Sequence, residues 1–311
     1  MKAITNHLWI ISFLVASALL SLKFGASDLT GEEILDLRLP RVILAFGVGA
    51  ALSLSGAILQ ALFTNPLCEP YTLGISSGSA LGAVMGATLG WGVNAYGFSP
   101  ASFLGGIIFA LILYFFSSRH SMSKTALLLA GVMLSFVGSS LVAVWMALAD
   151  PAGIQGALVW LLGDLSRARF DGSIILVGIV IVITGRLIYT ARGYDALLMG
   201  EETALSVGVN LQNLRREAIL LSSILTGLSV SAAGMIGFIG LLIPHVVRKT
   251  NGSLHRSVFP IAVFMGGGTL IFSDLLARIV ARPYELPVGV VTSLIGAPVF
   301  LMFMLRSGVK K

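Results

Sequence analysis

Long uncharged hydrophobic blocks alternate with short polar connections along all 311 residues. A helix needs about 20 residues to cross the roughly 30 Å hydrocarbon core of a bilayer, and most of the blocks approach that length. The pattern predicts a polytopic α-helical membrane protein. Nine blocks are visible, near residues 8–22, 42–63, 70–90, 101–116, 125–148, 173–190, 218–243, 257–277 and 286–305.

The uncharged stretch of residues 218–247 is long enough for more than one crossing. Gly234, Gly237, Gly240 and Pro244 interrupt it, and both residue types weaken a helix interior. We expect a full span, a tight turn near 237–240 and a short return helix over about 241–249. Irregular backbone at membrane depth has to be buried in protein. The predicted fold is therefore all-α, with ten transmembrane helices.

The charge content agrees with this class. Only 11% of the residues are charged, against about 25% in soluble domains, which excludes a soluble enzyme and a disordered chain. The net charge of +6 reflects orientation in the bilayer rather than binding to nucleic acid. With ten spans, most Lys and Arg residues fall in inside connections, so both termini are expected in the cytoplasm. The basic residues near the two ends are Lys2, Arg306, Lys310 and Lys311.

A weak internal repeat divides the chain. Leu-Ser-Leu-Ser-Gly-Ala at residues 52–57 resembles Leu-Ser-Val-Ser-Ala-Ala at residues 228–233, and Pro66 or Pro244 and a short helix follow. The two copies lie in spans of opposite direction, which predicts two inverted five-helix repeats, as in many transporters; chance recurrence of small residues is the alternative. Residues 1–311 then form a single transmembrane domain, with spans 1–6 in residues 1–190 and spans 7–10 in residues 218–311.

Glycines recur at every fourth position from Gly74 to Gly90. Small residues at this spacing form a stripe that a neighbouring helix can approach closely. We therefore expect packing against another helix, and a ligand path lined by bare backbone is the alternative.

Motifs for catalysis and metal binding are missing from the sequence. No glycine is followed by lysine, so the phosphate-binding loop of ATPases is absent and ATP hydrolysis is not expected in this chain. The four histidines are dispersed, which predicts neither a metal site nor a bound cofactor. Asp274 is the nearest candidate for a buried ionisable group, and Arg278 four residues later favours a local ion pair. We expect a protein that is not an enzyme.

The longest polar inside segment is 191–217. Gly200 and Gly208 divide it into two short amphipathic pieces, and Glu201 begins the second piece, where an acid suits the helix dipole. The segment is also more apolar than a free connection. It is therefore a candidate helix pair for a groove on another protein, and a solvated connector is the alternative.

Several motifs in this order resemble the permease subunits of ABC importers for ferric siderophores, haem and cobalamin, the FecCD type. The resemblance covers nearly the whole chain. The residues that carry it are Arg-Leu-Pro-Arg at 38–41, Gly-Ala-Ile-Leu-Gln at 56–60, Asn-Pro-Leu at 65–67, Leu-Gly-Ile-Ser-Ser-Gly at 73–78, Gly-Glu-Glu at 200–202, the run from Gly237 to His245, Asp-Leu-Leu-Ala-Arg at 274–278 and Glu-Leu-Pro-Val-Gly at 285–289.

The resemblance implies a homodimer in a bacterial cytoplasmic (inner) membrane, with the substrate path on the two-fold axis. Two ATP-binding subunits, which hold ATP and Mg²⁺, would dock on the cytoplasmic side. A periplasmic or lipid-anchored substrate-binding protein would dock outside. The transported molecule would be a metal chelate, with an iron–siderophore expected first and haem or cobalamin next.

The resemblance also assigns roles to residues. Arg38, Arg41 and Arg278 match positions that meet glutamates of the binding protein, and the topology places all three outside. Arg278 is nearly as well explained by pairing with Asp274. The outer stretch 150–172, with Trp160 and Asp164, resembles a short helix that helps to gate the outer mouth. The residues expected to couple to the ATPase are Leu198, Gly200, Glu201, Ala204, Leu205 and Gly208.

An ion-coupled secondary transporter is the alternative function. Such a carrier usually needs titratable groups within the membrane, and this sequence offers almost none.

Overall fold

The computed structural model describes residues 2–25, 31–118, 123–149 and 151–308. A π-helical turn, Ile34–Arg38, leads into the third helix, and a 3₁₀ turn, Pro70–Leu73, precedes the fourth. The helices are α1 (Lys2–Lys23), α2 (Gly31–Glu33), α3 (Leu39–Leu62), α4 (Ile75–Thr88), α5 (Pro100–Ser117), α6 (Lys124–Leu148), α7 (Pro151–Leu161), α8 (Phe170–Leu198), α9 (Glu201–Ser206), α10 (Leu211–Ala233), α11 (Ile239–Asn251), α12 (His255–Ile279) and α13 (Val288–Gly308).

Ten of these helices form the transmembrane bundle, which confirms the predicted fold. Within the described residues, six are long and apolar enough to cross a bilayer alone: α3 with its π-turn, α5, α6, α8, α12 and α13. The other four are α1, the short α4 and α11, and α10, which has charged residues near its start. Because ten crossings are even, α1 begins and α13 ends at the side that carries α9. We call this side the α9 face and the opposite side the α7 face.

Helix α3 is the centre of the bundle and packs against α8, α10, α11 and α12. Its small residues allow the backbones to approach closely. Gly49 lies against the carbonyl group of Gly266 in α12, and Gly56 lies against the carbonyl group of Gly240 in α11. No Cβ fits at either contact, which explains why glycine is needed at these positions.

The glycine stripe of α4 packs against α5, as expected. A Cβ at Gly78 would lie 2.6 Å from the carbonyl oxygen of Gly105, and Gly82 lies against the carbonyl group of Ala101. The two ends of the stripe differ, because Gly74 and Gly90 have φ values of +80° and +76° and lie at the ends of α4. The four-residue spacing therefore predicted that the middle glycines pack against another helix. It did not show that Gly74 and Gly90 have a different role at the ends of α4.

Each half of the chain contains a buried helix followed by a break and a short helix. In the first half, α3 leads through the connection of residues 63–74 to α4, and in the second half α10 leads through residues 234–238 to α11. The predicted turn and return helix are confirmed. One expectation was wrong in detail. Of the span expected at 70–90, only Ile75–Thr88 is α-helical, and Pro70–Leu73 before it is a 3₁₀ turn.

The expected pair of short helices in 191–217 was also wrong. Helix α8 continues to Leu198, and only α9 is a separate short helix before α10 begins at Leu211. The reason is a buried stripe that runs on at helical spacing through Leu187, Ala191, Tyr194 and Leu197. Gly200 then ends the segment, because its φ of +113° does not fit a helix.

Candidate functional site

Helix α9 stands between two glycines with positive φ. Gly200 has a φ of +113° and Gly208 a φ of +83°, a conformation that glycine adopts without the steric cost of a side chain. The backbone N–H of Ala204 donates to the Gly200 carbonyl, and that of Val209 donates to the Ala204 carbonyl. Ala204 is fully buried, so one side of this single helical turn is fixed against the bundle.

Ion pairs connect α9 to two transmembrane helices. The Glu201 carboxylate lies 3.4 Å from Lys124 Nζ at the start of α6 and 3.3 Å from Arg215 Nη2 in α10. Glu201 is 41% exposed, and such pairs contribute about 0.2–1 kcal/mol each. Their importance here is geometric, because one carboxylate holds the ends of three elements together.

The outward side of this region is apolar. Leu198, Met199, Leu205 and Val207 are all well exposed, Met199 and Val207 most strongly. Monomeric proteins rarely expose such a contiguous apolar ridge without a partner. The residues predicted for coupling therefore lie together, with Glu201 and Ala204 facing the bundle and Leu198 and Leu205 facing outward.

A second contact fixes the last turns of α8 on the same face. The Asp195 carboxylate accepts hydrogen bonds from the backbone N–H of His255 and lies 2.8 Å from His255 Nδ1, at the start of α12. Arg186 of α8 forms a bidentate pair with Glu217 of α10. These contacts join α8 to α10 and to the start of α12.

A network of ion pairs connects several elements at the α7 face. Arg41 of α3 lies 2.9 Å from the Asp274 carboxylate and 2.8 Å from Glu285, and Arg278 lies 3.0 Å from Asp274. The predicted pair of Asp274 and Arg278 is confirmed. The network joins α3, α12 and the connection to α13. Both Asp274 and Arg278 are almost completely buried, so removing the partner of either charge would strongly destabilise the fold.

Arg38 and Arg278, which the resemblance assigned to docking on the outer side, lie at the α7 face, but their side chains are buried there. They are 5% and 3% exposed. Arg38 donates to the carbonyl groups of Leu22 and Lys23, and Arg278 donates to Ser21 and to the Phe24 carbonyl. The last carbonyl groups of a helix have no partners within it, and here the two guanidinium groups satisfy them at the end of α1. Arg41 keeps a side-chain exposure of 13%.

The predicted gate residues lie where three elements meet at the α7 face. Trp160, at the end of α7, packs against Ala83 of α4 and Val230 of α10. The backbone N–H of Asp164 donates to the Ala233 carbonyl, and its carboxylate accepts from the N–H of Ser166. The backbone of Gly163 and Leu162 bonds to the start of α13. Residues 160–164 thus connect α7 to α10 and α13, and we call this segment, which includes Trp160 and Asp164, the latch.

The sequence patterns did not point to one group of polar residues. Tyr71, from the connection between α3 and α4, accepts a hydrogen bond from the backbone N–H of Ile236 in the break between α10 and α11, and Glu69 lies on the same connection. A signal was available, since Glu69 is the only charged residue between Arg41 and Arg119. Gln60 of α3 likewise donates to the Gly240 and Leu241 carbonyl groups.

The ten-helix bundle, the helix α9 at one end and the latch at the other define a multi-pass membrane permease. The chain belongs to the FecCD transport family, whose model matches residues 4–306. The family resemblance recognised in the sequence is therefore confirmed. Among the described residues, no group of three or more His, Cys, Asp and Glu is arranged to hold a metal ion.

Named relatives align over most of the chain. The cobalamin import system permease protein BtuC of Halobacterium salinarum is 40% identical, with 92% of this chain and 76% of that protein covered. The hemin transport system permease protein HmuU of Yersinia pestis is 37% identical, with 88% and 83% covered. A solved structure described as an inward-facing metal-chelate type ABC transporter superposes with a TM-score of 0.88 at 30% identity and covers 96% of this chain and 98% of that chain.

Proposed function

We propose that this chain is the permease subunit of a binding-protein-dependent ABC importer for a metal chelate, driven by ATP hydrolysis in a separate subunit. The observation that carries the proposal is the construction of α9. An apolar ridge faces outward, while the buried side of the same turn is tied to α6 and α10 through Glu201. Such a part can receive motion from a partner and pass it to the membrane helices.

The α9 face is then cytoplasmic, with both termini on this side. Leu198 and Leu205 would insert into a groove on the ATPase, and Gly200 and Gly208 would let α9 turn as a unit. Two ATPases serve a homodimer of this chain, one for each α9. ATP closure would shift the bundle between inward-open and outward-open states by rigid-body movement of packed helices.

The α7 face would receive the soluble binding protein. Because Arg38 and Arg278 are buried, we place the main docking cations elsewhere than the family resemblance did. A depression of about 980 Å³ lies beside the π-turn, and its lining includes the exposed Arg167 and Arg169. Arg41, whose side chain is 13% exposed, would remain part of the docking surface. Fixed cations at such a rim steer and orient an acidic partner.

The substrate belongs to the metal chelates, and relatives named for cobalamin and hemin support this class. These names favour a tetrapyrrole chelate ahead of the iron–siderophore that the family resemblance suggested first. Uptake of radiolabelled or fluorescent cobalamin, haem and a ferric siderophore is measured in one liposome preparation. The chelate that accumulates identifies the substrate.

The deciding experiment measures ATPase activity and uptake together. The chain is reconstituted in liposomes with its ATPase, with and without the binding protein. The proposal expects ATP hydrolysis that the loaded binding protein stimulates, with uptake that stops in ATP-free liposomes. An uncoupler that abolishes uptake while ATP stays high would instead favour the ion-coupled secondary transporter. Asp274 gives that alternative little support, because two arginines already hold its carboxylate.

A further inference from the structure

A groove of about 420 Å³ runs between α5 and α10, and the proposed function makes no use of it. The residues that line it recur at helical spacing on both helices. They include Phe103, Ala110 and Tyr114 of α5 and Leu220 and Gly227 of α10. Leu220 at the edge of the groove is 51% exposed. The groove therefore opens to the surroundings of the bundle, which in a membrane are lipid.

Hydrogen bonds at both ends fix the register of these two antiparallel helices. At the α7 face, the backbone N–H of Ser99, just before α5, donates to a carbonyl group in the last turn of α10. At the α9 face, the side chain of Gln212 donates to the Ser118 carbonyl at the end of α5. One helical turn inside this second contact, the register places Tyr114 of α5 and Arg216 of α10 at the same level.

The length of the groove matches one leaflet of a bilayer. From Phe103 to Tyr114 it follows α5 for about 16 Å, at a rise of about 1.5 Å per residue. The hydrocarbon core is about 30 Å thick, so each leaflet contributes about 15 Å. A transmembrane helix of a partner would need a contact face over the whole thickness, whereas an acyl chain enters from one leaflet only. A single acyl chain therefore fits the groove better than a helix does.

Arg216 lies at the end of the groove nearest the α9 face. It precedes Leu220 by one turn on the same side of α10, and helical side chains lean toward the N-terminus of their helix, which here is the α9 face. The Nε atom of Arg216 is buried and has no hydrogen-bond partner in the part of the chain that the structure describes. A buried donor of a charged group is costly to leave unpaired, so an acceptor from outside the chain would stabilise it.

The acidic groups nearest to Arg216 in the sequence and at this face are already engaged. Both oxygens of Glu217 accept hydrogen bonds from Arg186. The Glu201 carboxylate pairs with Arg215. Arg216 takes part in none of the ion pairs that the described residues form. Its positive charge is thus available to an anion at the membrane surface.

We propose that the groove between α5 and α10 binds one acyl chain of an anionic phospholipid and that the Arg216 guanidinium group binds its phosphate. The acyl chain lies against Phe103, Ala110 and Leu220. The phosphate lies at the level of Tyr114, a residue type that is enriched at membrane–water interfaces. Arginine binds phosphate through parallel N–H bonds, which would satisfy Nε. With the α9 face cytoplasmic, the lipid belongs to the cytoplasmic leaflet, and only this last assignment rests on the proposed function.

Native mass spectrometry of the purified, delipidated full chain tests the site without any transport assay. The chain is titrated with phosphatidylglycerol or with zwitterionic phosphatidylcholine of the same acyl chains. Wild type should bind phosphatidylglycerol about tenfold more tightly, the size of one charge-assisted contact. Arg216→Gln should reduce this preference to about twofold or less. Glycerol phosphate, which has the phosphate and lacks the acyl chains, should compete only weakly.

A second variant tests the acyl chain separately from the phosphate. Ala110→Phe fills the groove and should weaken the binding of both lipids to a similar extent. The matched control is Arg192→Gln, which removes an exposed cation of α8 at the same face and should change neither affinity. Unfolding midpoints in detergent check that each variant folds. Phosphatidylglycerol should raise the midpoint of wild type and of Arg192→Gln, and should not raise that of Ala110→Phe.

Three results would overturn the proposal. The first is a preference for phosphatidylglycerol that Arg216→Gln retains. The second is competition by glycerol phosphate as strong as that by the lipid, which would make Arg216 a site for free phosphate. The third is self-association in size-exclusion chromatography that Ala110→Phe abolishes while lipid binding is unchanged, because the groove would then be an interface between two copies of the chain.

Discussion

Gly56 of α3 and Gly240 of α11 meet backbone to backbone, with no room for a Cβ between the helix and the carbonyl group opposite it. This contact fixes how deeply the short α11 enters the bundle. It also joins the two halves of the chain, because Gly56 lies just before the first break and Gly240 just after the second.

Gly56→Ala should therefore destabilise the permease more than an ordinary helix substitution. Overpacking of a well-packed core costs about 1–3 kcal/mol, and here the neighbour is backbone that cannot rotate away. Thermal unfolding in detergent should show a clear fall in midpoint. Gly178→Ala is the matched control, since nothing lies within 4 Å of its added Cβ. Equal midpoints for the two variants would refute the importance of this contact.

Charge reversal at Glu201 should uncouple ATP hydrolysis from uptake. Glu201→Lys removes both ion pairs of α9 at a cost of about 0.2–1 kcal/mol each, which is too small to unfold the chain. We expect a lower ratio of uptake to ATP hydrolysis. The double variant Glu201→Lys/Lys124→Glu restores one pair and should recover part of the ratio. A double variant no better than the single one would show that the pairs do not carry coupling.

The exposed side of α9 should be needed for assembly with the ATPase. Leu205→Asp places a charge on the apolar ridge, and we expect reduced co-purification of the ATPase with an unchanged unfolding midpoint. Leu148→Asp makes the same change at an 81% exposed position at the end of α6 on the α7 face. It should leave co-purification intact. If Leu205→Asp co-purifies with the ATPase as well as wild type does, the apolar ridge is not part of the interface.

The ion network at the α7 face should contribute to stability. Asp274→Asn leaves the buried Arg278 without its counter-charge, and breaking such a pair costs about 3–5 kcal/mol. Glu285→Gln, at a side chain that is 38% exposed, should cost less than about 1 kcal/mol. Unfolding midpoints of the two variants test this order, and a similar small loss in both would contradict the burial argument.

Docking of the binding protein should depend on Arg167 and Arg169 rather than on Arg38. Arg167→Glu/Arg169→Glu should lose stimulation of ATPase activity by the binding protein and keep the basal rate. Arg38→Glu should reduce the yield of folded chain, because its guanidinium group caps α1. Stimulation by the binding protein is measured at low and high salt. If the Arg167→Glu/Arg169→Glu variant keeps it, the binding protein does not dock at this depression.

Hydrophobic blocks, glycine spacing and one interrupted stretch were enough to predict ten helices and the second break. The same reasoning missed where α8 ends, because a buried stripe continued into residues that look like a polar connection. It also placed Arg38 and Arg278 on the surface. Arginine at the end of a membrane helix suggests exposure, and the carbonyl groups of α1 that bind it belong to a part of the chain far away in sequence.

By itself, the sequence determined the class of protein, the number of spans and the family, because lipid solvation constrains composition and length along each segment separately. Only the tertiary structure decided that Arg38 is a cap, that Glu201 joins three helices and that Tyr71 bonds to the second break. Each of these contacts joins residues from different elements, and their partners are selected by how the helices pack against one another.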